Sequence, residues 1–177
     1  MKRVVAAEEM RRYEQARFAD GSASSIVWMD RAAEGVDKLL STRYSGKRLL
    51  VACGGGNNGG DGFALLRLLV NRGADCAGVT LADADKLAGD AKTNYLRALD
   101  CGVRFFDDIS SELVSQYDVL VDAMFGTGLS RPIAGVYADA IAILNASGKP
   151  IVAVDIPSGV DATSGAILGT AVRASET

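Results

Sequence analysis

The nine residues Gly54-Gly55-Gly56-Asn57-Asn58-Gly59-Gly60-Asp61-Gly62 join the apolar run Leu49–Cys53 to Phe63–Val70, which reads as helix. A glycine-rich turn from strand into helix is where α/β proteins bring backbone amides close to phosphates and nucleotides. Gly54, Gly56 and Gly59 keep the spacing G-x-G-x-x-G, but a chain with 20 glycines produces that match readily, and a plain tight turn would read the same way. Two adjacent asparagines and an aspartate are foreign to a simple phosphate cradle. Asp61, at the start of a helix, would cap free N–H groups and repel a phosphate. The acid that a dinucleotide fold wants at the end of its second strand is also misplaced: Asp75 precedes that strand, and Asp83 and Asp85 come late. Asn57, Asn58 and Asp61 instead offer hard oxygens and amide donors, suited to a cation or to a substrate rich in hydroxyl and amide groups.

Around this loop the chain alternates. Strands are expected at Arg48–Cys53, Cys76–Ala82, Val103–Phe106, Val119–Ala123 and Ile151–Ile156, with helices at Asp61–Arg72, Gly89–Leu99, Ser111–Gln116 and Val136–Ala146. Gly73, Gly102 and Gly148 each stand where a helix would end. Two helices precede the rhythm: Ala6–Phe18, with Met10, Tyr13 and Phe18 on one side, and Ser24–Leu40, with the apolar stripe Met29, Ala33, Val36 and Leu40. Asp20-Gly21-Ser22 separates them. Five apolar strands with helices between them predict an α/β fold whose mostly parallel sheet is covered on both faces. Right-handed crossovers favour the doubly wound order 3-2-1-4-5, which makes strands 1, 4 and 5 neighbours and opens a crevice at their carboxyl ends.

Composition removes several function classes. A chain of 177 residues, 49% hydrophobic, buries one core and is most simply a single domain over 1–177. Net charge is −3, which gives no electrostatic case for nucleic acid. With no histidine, a Ser-His-Asp triad, a Cys-His pair and His-ligated zinc are excluded. Cys53, Cys76 and Cys101 are odd in number and widely spaced, so they read as reduced core thiols of a cytoplasmic protein. The polar amino terminus is no signal peptide, and no apolar run reaches the roughly 18 residues of a membrane helix.

Two further loops carry unusual chemistry. Asp122-Ala123-Met124-Phe125-Gly126-Thr127-Gly128-Leu129-Ser130-Arg131-Pro132 begins with a carboxylate at the end of an apolar strand, a costly place unless it is paired or bound to something. Gly126 and Gly128 let backbone amides approach a ligand, and Arg131 is the cation placed to meet a phosphate; a solvated glycine turn remains the plainer reading. Val154-Asp155-Ile156-Pro157-Ser158-Gly159-Val160-Asp161 again closes a buried strand with an acid, and Pro157-Ser158-Gly159 forces a turn with a hydroxyl at its apex. An Asx-type turn alone would explain that segment. Taken together, Asn58, Asp122 and Ser158 fall at the ends of three adjacent strands, where their oxygens can converge on one cation. Asp155 stands beside them as the obvious acid–base group.

Asn57–Gly62, Asp122–Pro132 and Val154–Val160 resemble the three signature segments of the NAD(P)H-hydrate epimerase family, the YjeF amino-terminal domain, and Trp28-Met29-Asp30-Arg31-Ala32-Ala33 is similar to that family's second helix. The resemblance implies a Rossmann-like αβα sandwich with two extra N-terminal helices, usually a homodimer. It implies interconversion of the two epimers of hydrated NADH or NADPH (NADHX and NADPHX), which carry a hydroxyl on C6 of the nicotinamide ring. A partner dehydratase, often fused on the carboxyl side, then restores the cofactor. It also implies a potassium ion at Asn58, Asp122 and Ser158, and substrate contacts from Asn57, Asn58, Gly59, Gly60 and Asp61, from Gly126, Thr127, Gly128, Leu129, Ser130, Arg131 and Pro132, and from Asp155. Asp155 is the candidate catalytic group, since losing and regaining a hydroxyl needs an acid and a base in turn.

In that family the sheet continues past the segment Ala171–Thr177 with a further strand and a lysine-bearing stretch. The chain is therefore expected to be truncated, with an intact crevice but impaired activity or an exposed sheet edge. Two other functions stay open from sequence. A related domain in a decapping-enhancer protein is a dimerisation and RNA-binding scaffold, and an ordinary dinucleotide-dependent oxidoreductase would use the same glycine loop.

Overall fold

The computed structural model describes residues 6–19, 21 and 24–177. The expected break at Asp20-Gly21-Ser22 falls outside them except for Gly21, and so does the side chain of Phe18. Two helices, α1 (Ala7–Ala19) and α2 (Ser25–Arg43), precede the alternating part. That part runs β1 (Leu49–Cys53), α3 (Asn57–Asn71), β2 (Cys76–Thr80), a short 3-10 turn at Ala84–Lys86, α4 (Gly89–Asp100), β3 (Phe105–Phe106), α5 (Ser111–Ser115), β4 (Val119–Ala123), α6 (Val136–Ala146) and β5 (Ile151–Ala153). The strands form one parallel sheet in the order β3-β2-β1-β4-β5. This is the doubly wound order that the crossover rule selects.

Side-chain alternation along β1 separates two cores. Leu49, Val51 and Cys53 face α2, α3 and α4, where Ala33, Leu40, Phe63, Leu65, Leu66, Leu69 and Ala98 close the layer. Leu50 and Ala52 face the other side, where Leu113, Val114, Ile141 and Leu144 of α5 and α6 cover them. A strand buried on both faces reads as an unbroken apolar run, which is why LLVAC carries no polar alternation. Phe63, Tyr95 and Phe105 pack edge-on or tilted with ring centroids 5.0–5.8 Å apart and tie α3, α4 and β3 together.

α2 runs three residues past Leu40 to Arg43, and four elements of the alternating part also differ clearly from expectation. β3 starts two residues late because the Val103 N–H bonds to the Ala98 carbonyl and the Gly102 N–H to that of Leu99, closing α4 with a Schellman cap. Backbone donors used in the cap are not available to the sheet. β5 ends at Ala153, since Asp155 takes φ +69° and leaves the extended region before Pro157. β2 stops at Thr80, two residues short of Ala82, although the Leu81 N–H still reaches the Cys53 carbonyl. Finally, α3 begins at Asn57 rather than Asp61, so the glycine loop is helix from Asn57 onward. At the far edge the Glu176 carbonyl accepts the Ala153 N–H, so the last residues lie alongside β5.

Candidate functional site

The loops after β1, β4 and β5 meet above the carboxyl ends of those strands and enclose a crevice of about 1080 Å³. Its position follows from topology, because neighbouring crossovers leave the sheet in opposite directions beside β1. The first wall is the amino end of α3. Gly56 precedes the helix without a side-chain cap, and Gly59 lies so close to the Gly54 carbonyl that any Cβ there would overlap it. The helix can therefore start inside the loop only because residue 59 has no side chain. Asn57, Asn58 and Asp61 line the crevice from this wall. Asp61 sits a full turn into α3, so the capping role expected for it is not formed; Gly59 and Gly60 lie behind it, buried against Gly54 and Met29.

Asp122 is fully buried on β4. Its Oδ1 accepts the Ser158 hydroxyl at 2.6 Å and the Met124 N–H at 3.2 Å, and its Oδ2 accepts the Ser158 N–H at 2.8 Å. The Ser158 Oγ in turn accepts the Phe125 N–H at 2.8 Å. Burial pushes the Asp122 carboxyl up to about 6, against the opposing pull of the Ser158 and Met124 hydrogen bonds. Two of the three residues expected to share a cation are thus joined directly. The third, Asn58, is 8% exposed, and neither its Oδ1 nor its Nδ2 has a hydrogen-bond partner. A buried amide without partners is costly and signals a group that belongs beside it. The donor set is one carboxylate with amide, hydroxyl and carbonyl oxygens, and no cluster of three or more His, Cys, Asp or Glu suited to a metal occurs among the described residues. Such a set fits a hard monovalent cation better than a transition metal.

Asp155 lines the crevice and is exposed to it. It is the one non-glycine residue with positive φ among those described, a conformation that costs of order 1–3 kcal/mol and persists only when its surroundings fix it. Its Oδ2 accepts the Thr127 N–H at 2.8 Å, and its carbonyl accepts the Thr177 hydroxyl. Gly126 completes the arrangement: a Cβ there would collide with the Asp155 carboxylate and press on Asn58, 3.4 Å from its Cγ. Asn58, Gly126 and Asp155 therefore form one contiguous patch. Thr127, Gly128, Leu129, Ser130 and Arg131 continue the wall, whereas Pro132 does not line it and packs toward Gly169.

The opposite wall did not emerge from the sequence as a site. Ser25, Trp28, Met29, Ala32 and Val36 of α2 border the crevice, with Met10 and Gln15 of α1 beyond. Met29 and Val36 belong to the stripe expected in the core, and the helix periodicity that marks a core face marks a crevice wall equally well. Cys53, Cys76 and Cys101 are free thiols; burial pushes the Cys53 thiol up strongly and that of Cys76 to about 11, so neither is a ready nucleophile.

Residues 25–177 match the sequence profile of the family described as YjeF-related protein N-terminus. The chain belongs to this family. A protein of Thermofilum pendens named bifunctional NAD(P)H-hydrate repair enzyme Nnr is 48% identical over 133 residues, which are 72% of this chain and 25% of that protein; the chain thus spans a quarter of that relative's length. NAD(P)H-hydrate epimerase of Weissella koreensis is 37% identical over 174 residues, 98% of this chain and 78% of the relative. Among solved structures, a crystal structure of the yeast protein ynu0 superposes with a TM-score of 0.87 at 21% identity, covering 98% of this chain and 78% of that one, which establishes the same fold.

Proposed function

We propose that this YjeF-family chain is an NAD(P)H-hydrate epimerase, an isomerase that interconverts the two epimers of hydrated NADH or NADPH. The observation that carries the reading is the patch in which Asp155, held in a strained conformation, and the partnerless amide of Asn58 flank Gly126 at the mouth of the crevice. The names of the relatives support it, and none of them favours a scaffold or an oxidoreductase.

In this reading the nicotinamide end of the substrate lies against Asn58, Gly126 and Asp155. Asp155 protonates the C6 hydroxyl, the C6–O bond breaks, and water leaves while the ring nitrogen lone pair forms an iminium. The resulting carboxylate balances the cation at close range in a partly enclosed site. Water adds to the other face of C6, and Asp155 takes up the proton released. Atoms and electrons balance, with no redox change. Asn57 and Asp61, with the amides and side chains from Thr127 to Arg131, orient the rest of the dinucleotide. Asn58, Asp122 and Ser158 would hold a potassium ion, which supplies fixed positive charge beside the Asp122 carboxylate and orders the loops.

Residues 1–177 form a single epimerase domain in this account, acting as a homodimer ahead of an NAD(P)H-hydrate dehydratase, fused or separate, that restores the cofactor. The cytoplasm, where thiols stay reduced, suits the three free cysteines. Asp155→Asn tests the chemistry. Its epimerisation rate is expected to fall by about 10²–10⁴-fold with little change in substrate affinity. An undiminished rate would remove Asp155 from the mechanism.

A further inference from the structure

A second, smaller cleft lies above β2 and β3, on the other side of the glycine loop from the crevice. It encloses about 340 Å³ and is lined by Thr80, Leu81, Ala82, Asp83, Ala84, Asp85 and Asp107. That volume falls in the range of small-ligand sites. Thr80 ends β2; it is 4% exposed, and its Oγ1 has no hydrogen-bond partner. A hydroxyl buried in this way lacks a partner that a bound group with hydroxyls would supply. Asp85 and Asp107 both line the cleft, and their charges help burial to push up the phenol of nearby Tyr95. Asp83 accepts the Asp85 N–H at 3.1 Å and pairs with Lys86 at 3.0 Å. The other nearby ammonium, Lys92, donates to the Ala84 carbonyl at 2.7 Å. Three carboxylates thus outnumber two ammonium groups that already have partners.

The two clefts share one wall. Gly55 lies against Ala82, so close that a Cβ at residue 55 would stand 2.9 Å from the Ala82 methyl, while its neighbour Gly56 lines the larger crevice. Adjacent strands lie about 4.8 Å apart, so the space over β2–β3 and that over β1–β4 are separated by about two strand spacings. A pyrophosphate passing over Gly55 and Gly56 bridges that distance and meets the amino end of the 15-residue α3.

We propose that the cleft over β2 and β3 holds the adenosine ribose of the dinucleotide, with Thr80 and the carboxylates of Asp85 and Asp107 receiving its hydroxyls, and that this acidic wall makes the enzyme prefer hydrated NADH to hydrated NADPH. The inference rests on the epimerase reading for its substrate. A ribose diol donates to carboxylates, whereas a 2′-phosphate brings like charge against them and leaves Thr80 facing an already acidic surface.

Two measurements on the intact chain decide it. The first compares kcat/KM for hydrated NADH and hydrated NADPH in the wild type, Asp107→Lys and Asp85→Lys. The wild type is expected to favour hydrated NADH by about tenfold or more, carried in KM, and each lysine variant to shrink that ratio several-fold by improving the phosphorylated substrate. The second titrates ADP-ribose and its 2′-phosphate calorimetrically, and the same preference and the same reversal are expected. Equal use of both substrates by the wild type, or a ratio unmoved in both variants, would overturn the proposal while leaving the epimerase intact. Discrimination between the two ADP-riboses without any epimerisation would uphold the cleft and reject the epimerase reading.

Discussion

Residue 126 controls where Asp155 can go, because the Asp155 carboxylate occupies the space a side chain would fill. Gly126→Ala is therefore expected to displace the carboxylate from the Thr127 amide and to slow turnover by about 10²-fold or more, since misplacement of a catalytic group by an ångström costs that much. The same variant should unfold within a few degrees of the wild type, as the residue is only partly buried; parallel rate and melting measurements separate the two effects. Asp122 gives a pH-dependent counterpart. Its carboxyl is pushed up to about 6, against about 3.9 in an unfolded chain, so between those values the native state binds more protons than the unfolded state. Its contribution is therefore fully present below the lower value and is lost as pH rises through the higher one. A cation held by the ionised carboxylate offsets that loss. Replacing choline with potassium at about ten times its dissociation constant should add about 1.4 kcal/mol, or roughly 3–5 °C in Tm, at about pH 8, and much less at about pH 5. Equal shifts at both pH values would separate potassium from Asp122.

Lys149 shows how the elements are fixed to one another. Its ammonium donates to the carbonyls of Val114 at 2.6 Å, Ser115 at 2.9 Å and Tyr117, closing the carboxyl end of α5 from the turn that leads into β5. Lys149→Met should lower unfolding free energy by about 1.5–3 kcal/mol in urea titration, the range for hydrogen bonds from a charged donor; a loss under about 0.5 kcal/mol would show that water replaces it. Nothing in Gly148-Lys149-Pro150 announces such a role, because a lysine after a helix reads as surface. The strands and their order, by contrast, were legible, since five apolar runs separated by helices leave few topologies. Boundaries were less so wherever one backbone group had two possible partners. Val103 joins a helix cap instead of β3, and Asn57–Gly60 wind into α3 through contacts with Gly54 and Met29 that local propensity does not encode.

At the scale of the molecule, the sheet brings loops more than sixty residues apart in sequence to one crevice and leaves a second cleft beside it. The polar wall of the crevice at Asn58 and Asp155, and the fully buried Asp122–Ser158 pair that does not line it, were readable because all four residues are chemically out of place at the ends of apolar strands. The wall from α2 was not, as Trp28 and Met29 look like any core face until the neighbouring helices are placed. Asp83 and Asp85 looked too late in sequence for a ribose and become neighbours of Thr80 only because β2 ends early. The most direct measurement supplies one pure epimer of hydrated NADH, with potassium and no dehydratase, and follows the other epimer by chromatography. Equilibration well above the spontaneous rate, abolished in Asp155→Asn, is the expected result. An unchanged spontaneous rate with correctly folded, potassium-supplied protein would contradict the account.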